Sequence, residues 1–287
     1  NHFGKVAVME ELKEELLSND GKFDFAIGFK GTVAIGFQSR QSGYNLKVIR
    51  NSPTEQYKWG MFEGVPSVLE KYSRVHVINR TGSMLDNIIF YRVKLERIWF
   101  TNALLEELLN EASECVTLQG NFLFFRHLIV QRRLTPLPVY LETSSQAESE
   151  AAVINLGHCI KNNMAANIFN KDLDARNYGV GVFGGVYLFD YDALEKFTEV
   201  KIRTNQNQFE GEEEIPEWFF EDGVVFLPEE IESGLRIPSR SLRRLFREVH
   251  GDLLQVGYYE RIQDELRVGK VPSVRVYPEQ YQIKKKV

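Results

Sequence analysis

Residues 167–177 read NIFNKDLDARN. This stretch is the strongest indication of the fold, because it places an acid and an amide at a spacing that is typical of one kind of catalytic loop. Asp172 precedes Asn177 by five residues (177 − 172 = 5), and a predicted β-hairpin with a glycine pair at its turn follows. Asp190 comes directly after that hairpin, 18 residues beyond Asp172 (190 − 172 = 18). A single Asp in a loop is most often a turn former. The order of acid, amide, hairpin and acid is much rarer by chance, so it indicates a site with chemistry.

The residue types in this order suit phosphoryl transfer from a nucleotide. Mg²⁺ takes hard oxygen ligands, and a carboxylate with an amide oxygen, here Asp190 and Asn177, provides them. A further carboxylate must orient the attacking hydroxyl and accept its proton, and Asp172 is placed for that role. The five-residue step is also that of the protein-kinase catalytic loop, although the His-Arg pair before the aspartate is absent. Asp190-Tyr191-Asp192 stands where kinases have Asp-Phe-Gly.

The N-terminal part is predicted to be rich in strands. A helix over residues 6–17 has apolar side chains at helical spacing. Three β-like runs at 23–27, 32–37 and 44–49 then predict a three-stranded antiparallel meander. This part therefore differs in character from the helical second half of the chain.

Gly28 and Gly31 lie at the tip of the first predicted hairpin. Glycines there let backbone N–H groups approach phosphate oxygens closely, although most such turns are only turns. Lys47 lies in the third strand, where a lone lysine can simply extend to the sheet edge. In a kinase it would pair with nucleotide phosphates and a helix glutamate. Glu63 and Glu70 are both candidates for that glutamate, and the sequence does not choose between them.

The remaining segments complete a coarse map of the chain. We expect helix at 55–72, extended chain at 75–78 and 87–93, a helix capped by Thr101 through Glu111, and a central apolar strand at 122–130. Further on we expect a helix at 148–164, the loop and hairpin at 167–189, an acidic segment at 203–222, helix at 239–266, and a solvated end at Lys284-Lys285-Lys286.

An all-parallel α/β sheet does not fit this map. The map predicts an α+β, bilobal, protein-kinase-like fold, with an antiparallel β-rich N-lobe over residues 1–130 and a mostly helical C-lobe over 131–287. A cleft between the lobes is expected to hold the site.

Composition limits the alternatives further. The 287 residues carry 35 basic and 40 acidic side chains, so the net charge is 35 − 40 = −5. A mildly acidic chain is a poor partner for nucleic acid or anionic membranes. No apolar run approaches the ~20 residues of a membrane span, and residues 1–4 have no signal-peptide character. Cys115 and Cys159 are far apart and predict free thiols, so we expect a cytoplasmic protein.

Beyond these features, the sequence resembles one specific family, the kinase domain of bacterial isocitrate dehydrogenase kinase/phosphatases. The resemblance runs along nearly the whole chain, and its most specific parts are residues 165–169, 177–180 and 190–192 with 198–200. The other similar stretches are residues 1–4, 6–9, 26–33, 46–49, 82–86, 132–137 and 140–142.

This resemblance implies a site that uses ATP (or ADP) and Mg²⁺ to phosphorylate a serine of isocitrate dehydrogenase and to dephosphorylate it again. It implies nucleotide-binding roles for Ala26, Ile27, Gly28, Phe29, Lys30, Gly31, Thr32, Val33, Lys47 and Arg176. It implies metal ligation by Asn177 and Asp190, and catalytic roles for Asp172, Asp86 and Asp192. Among these, Asp192 is linked to the phosphatase direction, where a carboxylate helps to position water.

The chain also departs from the family pattern. Gln131 replaces a Glu, Arg176 replaces a Lys before the metal Asn, and Asp174 adds a carboxylate that the family usually lacks. The segment 203–222 has the position and acidity of the family's substrate-recognition segment but little else in common with it. The family's N-terminal regulatory domain would lie before Asn1. We therefore expect regulation to be missing or to come from a separate domain or chain.

Two other functions stay open at this point. A pseudokinase would bind a nucleotide or a partner without transferring phosphate, or the kinase would act on a different protein substrate. A small-molecule kinase on a related fold has no positive feature in the sequence.

Overall fold

The computed structural model describes residues 2–18, 21–28, 30–58, 61–205 and 217–275. The chain divides into two compact units. The first comprises Asn1–Val77 and Leu85–Arg133, and the second comprises Ile78–Met84 and Leu134–Val287. Helices and an antiparallel sheet occur together, as the α+β class requires. The kinase-like lobes expected over 1–130 and 131–287 stay a prediction.

The first unit is built on its sheet. Its elements are α1 (His2–Ser18), β1 (Phe23–Phe25), β2 (Ala34–Ser39), β3 (Tyr44–Ile49), α2 (Val65–Ile78), β4 (Asn87–Glu96), α3 (Asn102–Glu111), β5 (Val116–Gln119) and β6 (Phe122–Arg132).

The strands of this unit pair in the order β1-β2-β3-β6-β4, and β5 also pairs with β6. All of these pairings are antiparallel. The predicted three-stranded meander is confirmed, and so is the central place of the apolar strand, because β6 has β3, β4 and β5 as neighbours. Lys47 lies opposite Ile129 of β6, so the candidate nucleotide lysine stands in the middle of the sheet.

Aromatic rings fill the core beside this sheet. Phe37 lies 5.5 Å from Phe23 and 6.2 Å from Phe125 between ring centroids, and all three side chains are buried. Burying one such ring stabilises a fold by roughly 1.5–3 kcal/mol. Leucines of α1 and α3 belong to the same cluster, which holds the sheet's candidate-site strands in a fixed frame.

Two expectations for the first unit are wrong. The helix predicted over 55–72 is instead α2, Val65–Ile78, and it absorbs the extended segment predicted at 75–78. Val68, Tyr72 and Val75 are its buried residues, and their spacing of four and three places them on one face of a helix. Burial of this face outweighs the low helix propensity of the β-branched residues at the end of α2. The helix expected through Glu111 is confirmed as α3 with Thr101 at its N-cap, although the Thr101 side chain makes no capping bond and its hydroxyl donates to Asp24 Oδ1 at 3.0 Å.

Helices and short strand pairs make up the second unit. Its elements are β7 (Thr135–Pro136), α4 (Leu137–Thr143), α5 (Gln146–Ala165), β8 (Ile168–Asn170), β9 (Tyr178–Val180), β10 (Val186–Leu188), β11 (Leu194–Lys196), β12 (Lys201–Ile202), β13 (Val225–Phe226), α6 (Ile231–Leu235), α7 (Arg240–His250) and α8 (Val256–Arg267).

The long helix predicted at 148–164 is confirmed as α5, and it starts earlier because Ser145 and Glu148 form a capping box. The predicted glycine hairpin is confirmed as β9 and β10, with Gly184 at φ +74°. The single helix expected at 239–266 is wrong, since a short turn at Gly251–Leu254 separates α7 from α8.

The acidic segment expected at 203–222 is described only at its ends. Arg203 forms a bidentate pair with Glu221, with N–O distances of 2.7 and 2.8 Å. The run Glu212–Glu214 lies outside the described residues, as does the expected solvated end at 284–286. In the parts of the chain that the structure describes, no helix is long and apolar enough to cross a membrane.

We expect His127 to make the first unit sensitive to acid. Burial, with a smaller contribution from the charge of Arg126, lowers the pKa of this β6 histidine to about 4. Because the unfolded chain has a histidine pKa near 6.5, it binds more protons than the folded chain between about pH 6.5 and 4. The free energy of unfolding should therefore fall by about 3 kcal/mol as the pH drops through this window.

The measurement is the pH dependence of unfolding by urea. His127→Leu should reduce the slope of the curve between about pH 6.5 and 4, and the slope that remains comes from the half-buried His158 and the buried His250, whose pKa values are also lowered. Replacement of the exposed His76 by Leu should leave the slope unchanged. Equal pH dependence in the His127 variant and the wild-type chain would contradict this assignment.

Candidate active site

The loop between β8 and β9 holds Asp172 by its backbone. The Asp172 N–H donates to Asn170 Oδ1 at 3.1 Å, and the Asn170 side-chain amide donates back to the Asp172 carbonyl at 2.8 Å. These two bonds make a closed turn of the kind that Asn side chains favour. Lys171 between them donates its N–H to Ala193 O, which ties the turn to the segment that follows Asp192. The position of Asp172 is therefore fixed before any ligand arrives.

Asn177 closes the other end of the same loop. Its side-chain amide donates to the carbonyl of Asp172 at 2.9 Å, at the end of a short helical turn over Ala175–Asn177. This bond uses the amide nitrogen, so the amide oxygen Oδ1 is the atom with which Asn177 can bind a cation. The five-residue spacing thus allows Asn177 to hold Asp172 through its amide nitrogen while its amide oxygen can bind a cation.

Asp190 reaches Asn177 through the hairpin. Tyr178 of β9 pairs with Leu188 of β10, and the next residue, Phe189, donates its N–H to Asn177 O at 3.1 Å. Asp190 therefore follows directly at the open end of the hairpin, beside Asn177. The fully buried Tyr191 separates it from Asp192, and both carboxylates are half-buried.

The side chain of Asp190 suits a divalent cation. Its Oδ1 is buried and finds no hydrogen-bond donor among the described residues. A buried carboxylate oxygen without a donor is costly unless a cation satisfies it. Within the described ranges no group of three or more His, Cys, Asp or Glu side chains is placed to hold a metal. Asp190 with Asn177 is a two-residue set, which fits Mg²⁺ because this ion keeps waters and phosphate oxygens as its other ligands.

The surroundings of Asp172 favour a proton acceptor. Burial raises the pKa of this carboxyl group, and the like charges of Asp174 and Asp190 raise it further. A hydrogen bond from Asn177 and the charge of Arg176 act in the opposite direction. A carboxylate with a raised pKa is a better base for a hydroxyl proton than an ordinary aspartate. Burial is the main cause, so the fold of the loop itself raises the pKa of Asp172.

The candidate nucleotide loop belongs to the first unit. Gly28 has φ +115°, and a Cβ on Gly31 would lie 2.5 Å from Ala34 O, so both positions exclude other residues without rearrangement. The flanking backbone is fixed by hydrogen bonds from Ala26 N to Gly36 O and from Arg50 N to Val33 O, while Thr54 N bonds to Thr32 O. Ile27 is exposed, and Phe29 lies outside the described residues.

Glu107 of α3 anchors this loop. Its carboxylate lies 2.8 Å from Lys30 Nζ and also accepts a hydrogen bond from the buried Arg50. Arg50 Nε in turn reaches Gly31 O at 3.4 Å. Burial is the largest single influence on the pKa of Glu107, and it raises that pKa. The hydrogen bonds and charges of Lys30 and Arg50 together outweigh burial, so the pKa is lowered. The loop lysine is therefore held in place by a residue far along the chain.

Tyr72 of α2 contacts Lys47. Lys47 Nζ lies 3.3 Å from the Tyr72 hydroxyl and 5.4 Å from the centre of its ring. Neither candidate glutamate is assigned by these contacts, since Glu63 accepts a bond from Ser67 and Glu70 lies 3.9 Å from Arg74. The helix partner of Lys47 stays a prediction.

Asp86 is exposed in the first unit, directly before β4. Its neighbour Asn87 donates to the carbonyl of Tyr72 at 2.9 Å, so one tyrosine contacts both Asn87 and Lys47. Tyr72 therefore links the start of β4 to the candidate nucleotide lysine within the unit. Its catalytic role stays a prediction.

The second unit thus holds a braced aspartate with an amide and carboxylate pair suited to a cation. The first unit holds a glycine loop and a strand lysine. Each is a candidate part of a phosphotransferase-type site. The sequence model described as the isocitrate dehydrogenase kinase/phosphatase (AceK) kinase domain matches residues 21–279. The chain therefore belongs to this family, as the sequence resemblance predicts.

Named relatives agree with this family. The chain is 55% identical over 278 residues to the isocitrate dehydrogenase kinase/phosphatase of Rhodopseudomonas palustris strain HaA2, covering 97% of this chain and 45% of the relative. It is 54% identical to the protein of strain ATCC BAA-98 / CGA009, over 97% of this chain and 44% of that relative. The corresponding protein of Azoarcus sp. strain BH72 is 30% identical over 96% of this chain and 46% of its own length. The chain thus spans about half the length of the curated relatives it matches.

Proposed function

We propose that this chain carries the phosphoryl-transfer site of an isocitrate dehydrogenase kinase/phosphatase, on a bilobal serine/threonine-kinase-like fold. With ATP and Mg²⁺ it phosphorylates a serine of isocitrate dehydrogenase, and with nucleotide at the same site it removes that phosphate. Such a reaction pair would set the flux between the tricarboxylic acid cycle and the glyoxylate bypass. One observation carries the proposal: Oδ1 of Asp190, at the end of the hairpin that also presents Asn177, is buried and has no hydrogen-bond donor among the residues that the structure describes.

The residues take distinct roles in this proposal. Bound Mg²⁺ would neutralise charge on the nucleotide phosphates, with Asn177 and Asp190 as its protein ligands. Asp172 orients the acceptor hydroxyl and receives its proton, for which its raised pKa is suited. In the reverse direction Asp192 positions the water that attacks the phosphoserine. Lys47 and the loop of residues 26–33 bind the nucleotide phosphates.

A transfer assay tests the proposal directly. The purified chain is incubated with γ-labelled ATP, Mg²⁺ and bacterial isocitrate dehydrogenase, and the product is then chased with unlabelled ADP and ATP. Label that appears on the dehydrogenase and is released in the chase is the expected result. Absence of label while calorimetry still detects nucleotide binding would favour a pseudokinase or a different protein substrate.

We expect Lys47→Met to impair both directions of the reaction. Removing the ammonium group takes a charge-assisted contact from the nucleotide phosphates, so nucleotide affinity should fall by about tenfold. Rates of phosphorylation and dephosphorylation are measured on the same preparation. Lys94→Met, at an exposed position of β4, is the matched control. A Lys47 variant that keeps phosphatase activity and loses only kinase activity would argue against one shared nucleotide site.

A further inference from the structure

Asp174 in the candidate catalytic loop binds two arginines. Its Oδ2 lies 2.8 Å from Arg176 Nη2 and 3.6 Å from Arg236 Nη1. Its Oδ1 accepts the backbone N–H of Arg176 at 2.9 Å, which caps the short turn that leads to Asn177. Because both guanidinium groups contact one oxygen, they lie close to each other. The cluster of one carboxylate and two cations has a net charge of 2 − 1 = +1.

Exposure differs sharply within this cluster. The Asp174 side chain is 5% exposed, whereas the side chains of Arg176 and Arg236 are 40% and 64% exposed. A carboxylate buried to this extent must be paired, and the two arginines provide that pairing. The positive charge of the cluster therefore lies at the surface, above a buried anchor. Guanidinium groups in this setting bind phosphate oxygens well, because the planar fork matches their geometry.

The backbone at Arg236 gives independent support. Arg236 follows α6 with φ +53°, a left-handed conformation that favours glycine at the end of a helix. A side chain there is strained, so the conformation must be held by its surroundings, which include the contact with Asp174. The end of α6 also lies close to the loop, because a Cβ added at Gly234 would be 3.8 Å from Leu173 O. The strained position is thus the one from which a side chain reaches Asp174.

Charge balance shows what Arg236 adds. Residues 167–192 contain two cations, Lys171 and Arg176, and four aspartates, so their net charge is 2 − 4 = −2. Lys171 is paired with Glu195 at 2.8 Å. A phosphate group that approaches this stretch would meet excess negative charge. Arg236, distant in sequence, offsets part of this charge beside Arg176.

We propose that Arg236 joins Arg176, whose nucleotide-binding role the family resemblance already implies, in a binding site for a phosphoryl group, with Asp174 as the positioning residue that holds the two arginines together. The ligand is a phosphoryl oxyanion, which is either the terminal phosphate of the nucleotide or the phosphate of the modified side chain. The inference rests on the proposed function for its place in the reaction. Binding at this site is nevertheless measurable without any transfer.

Replacing Arg236 by Gly separates binding from folding. Glycine adopts the left-handed conformation without strain, so Arg236→Gly removes the guanidinium group while leaving the melting temperature unchanged or higher. Arg92→Gly is a matched control, because Arg92 is an exposed arginine at φ +58° in β4 of the first unit. Both substitutions remove one cation and relieve one strained backbone position. Of the two arginines, only Arg236 contacts Asp174.

Calorimetry measures the affinity of each variant for a non-hydrolysable ATP analogue with Mg²⁺, for ADP with Mg²⁺, and for a phosphoserine peptide. We expect Arg236→Gly to weaken one phosphoryl probe by about tenfold, and Arg92→Gly to change none. Loss confined to the ATP analogue, with ADP unchanged, identifies the terminal phosphate as the ligand. Loss confined to the phosphoserine peptide identifies the modified side chain.

Asp174→Asn and Arg176→Gln provide a second test. Asn can still accept the Arg176 N–H but cannot pair with two cations, so Asp174→Asn should weaken the same probe as Arg236→Gly does. The double variant Asp174→Asn/Arg236→Gly should bind no more weakly than the worse single variant, because both changes break one unit. Arg236→Lys, which keeps the charge without the fork, should recover only part of the affinity.

Two outcomes overturn the inference: unchanged affinity of Arg236→Gly and Arg176→Gln for all three probes, or no binding of any probe by the wild-type chain. The transfer assay on the same preparations keeps the two proposals apart. Wild-type transfer with unchanged binding in the arginine variants removes this site and leaves the proposed function. Arginine-dependent binding without wild-type transfer leaves this site and removes the proposed function.

Discussion

Replacement of Asp172 by Asn is expected to lower the rate of phosphoryl transfer by about a thousandfold while leaving nucleotide affinity nearly intact. The substitution preserves the shape of the side chain and the backbone bonds with Asn170 and Asn177. It removes the carboxylate that would accept the hydroxyl proton. Since this group acts on the acceptor, nucleotide binding has no reason to change. Single-turnover transfer from labelled ATP and calorimetric binding of nucleotide with Mg²⁺ are measured on the same protein.

A matched acid on α8 provides the control for this substitution. Asp264 is 73% exposed and pairs with Arg267 one helical turn away. Its replacement by Asn should leave both transfer and binding at wild-type values. Equal losses of transfer and nucleotide affinity in Asp172→Asn would contradict the assigned role, because they would indicate a damaged nucleotide site.

Contacts between residues that are close in sequence explain why much of the second unit could be predicted. The spacing from Asp172 to Asn177 lies within one loop, and a hairpin with a glycine turn must return Asp190 to the point where Asn177 leaves. The pattern could also have located Asn170, because an Asn two residues before a loop residue commonly closes a turn on it. Local sequence was sufficient here because the contacts are local.

Contacts between distant residues explain what the sequence missed. Nothing in the strand end Val48-Ile49-Arg50 indicates that Arg50 is buried, or that its carboxylate partner Glu107 lies 57 residues further on. The Tyr72 contact of Lys47 depends on where α2 packs, and the predicted limits of that helix were wrong. Arg236 reaches Asp174 from 62 residues away (236 − 174 = 62). These partners depend on tertiary packing, which the periodicity and spacing of a sequence do not reveal.

Replacement of Asp190 by Ala is expected to abolish the stabilisation of the chain by Mg²⁺ and nucleotide. A ligand at a hundred times its Kd stabilises a folded protein by about 2.7 kcal/mol, which corresponds to a rise in melting temperature of roughly 5 to 10 °C for a chain of this size. The wild-type chain should show this rise with Mg²⁺–ADP. The Asp190 variant should show almost none, because Asn177 alone does not hold the cation.

The same variant should lose little stability without ligand, and this separates a metal ligand from a structural residue. Asp190 Oδ1 is buried with no hydrogen-bond donor among the described residues, so removing the carboxylate relieves a desolvation cost. Asp192→Ala is the control two residues away, and it should keep the Mg²⁺-dependent rise because its predicted role lies in dephosphorylation. A lower melting temperature of Asp190→Ala without ligand, together with a normal rise on adding Mg²⁺–ADP, would move the cation site elsewhere. The buried oxygen of Asp190 would then need a donor from another part of the chain.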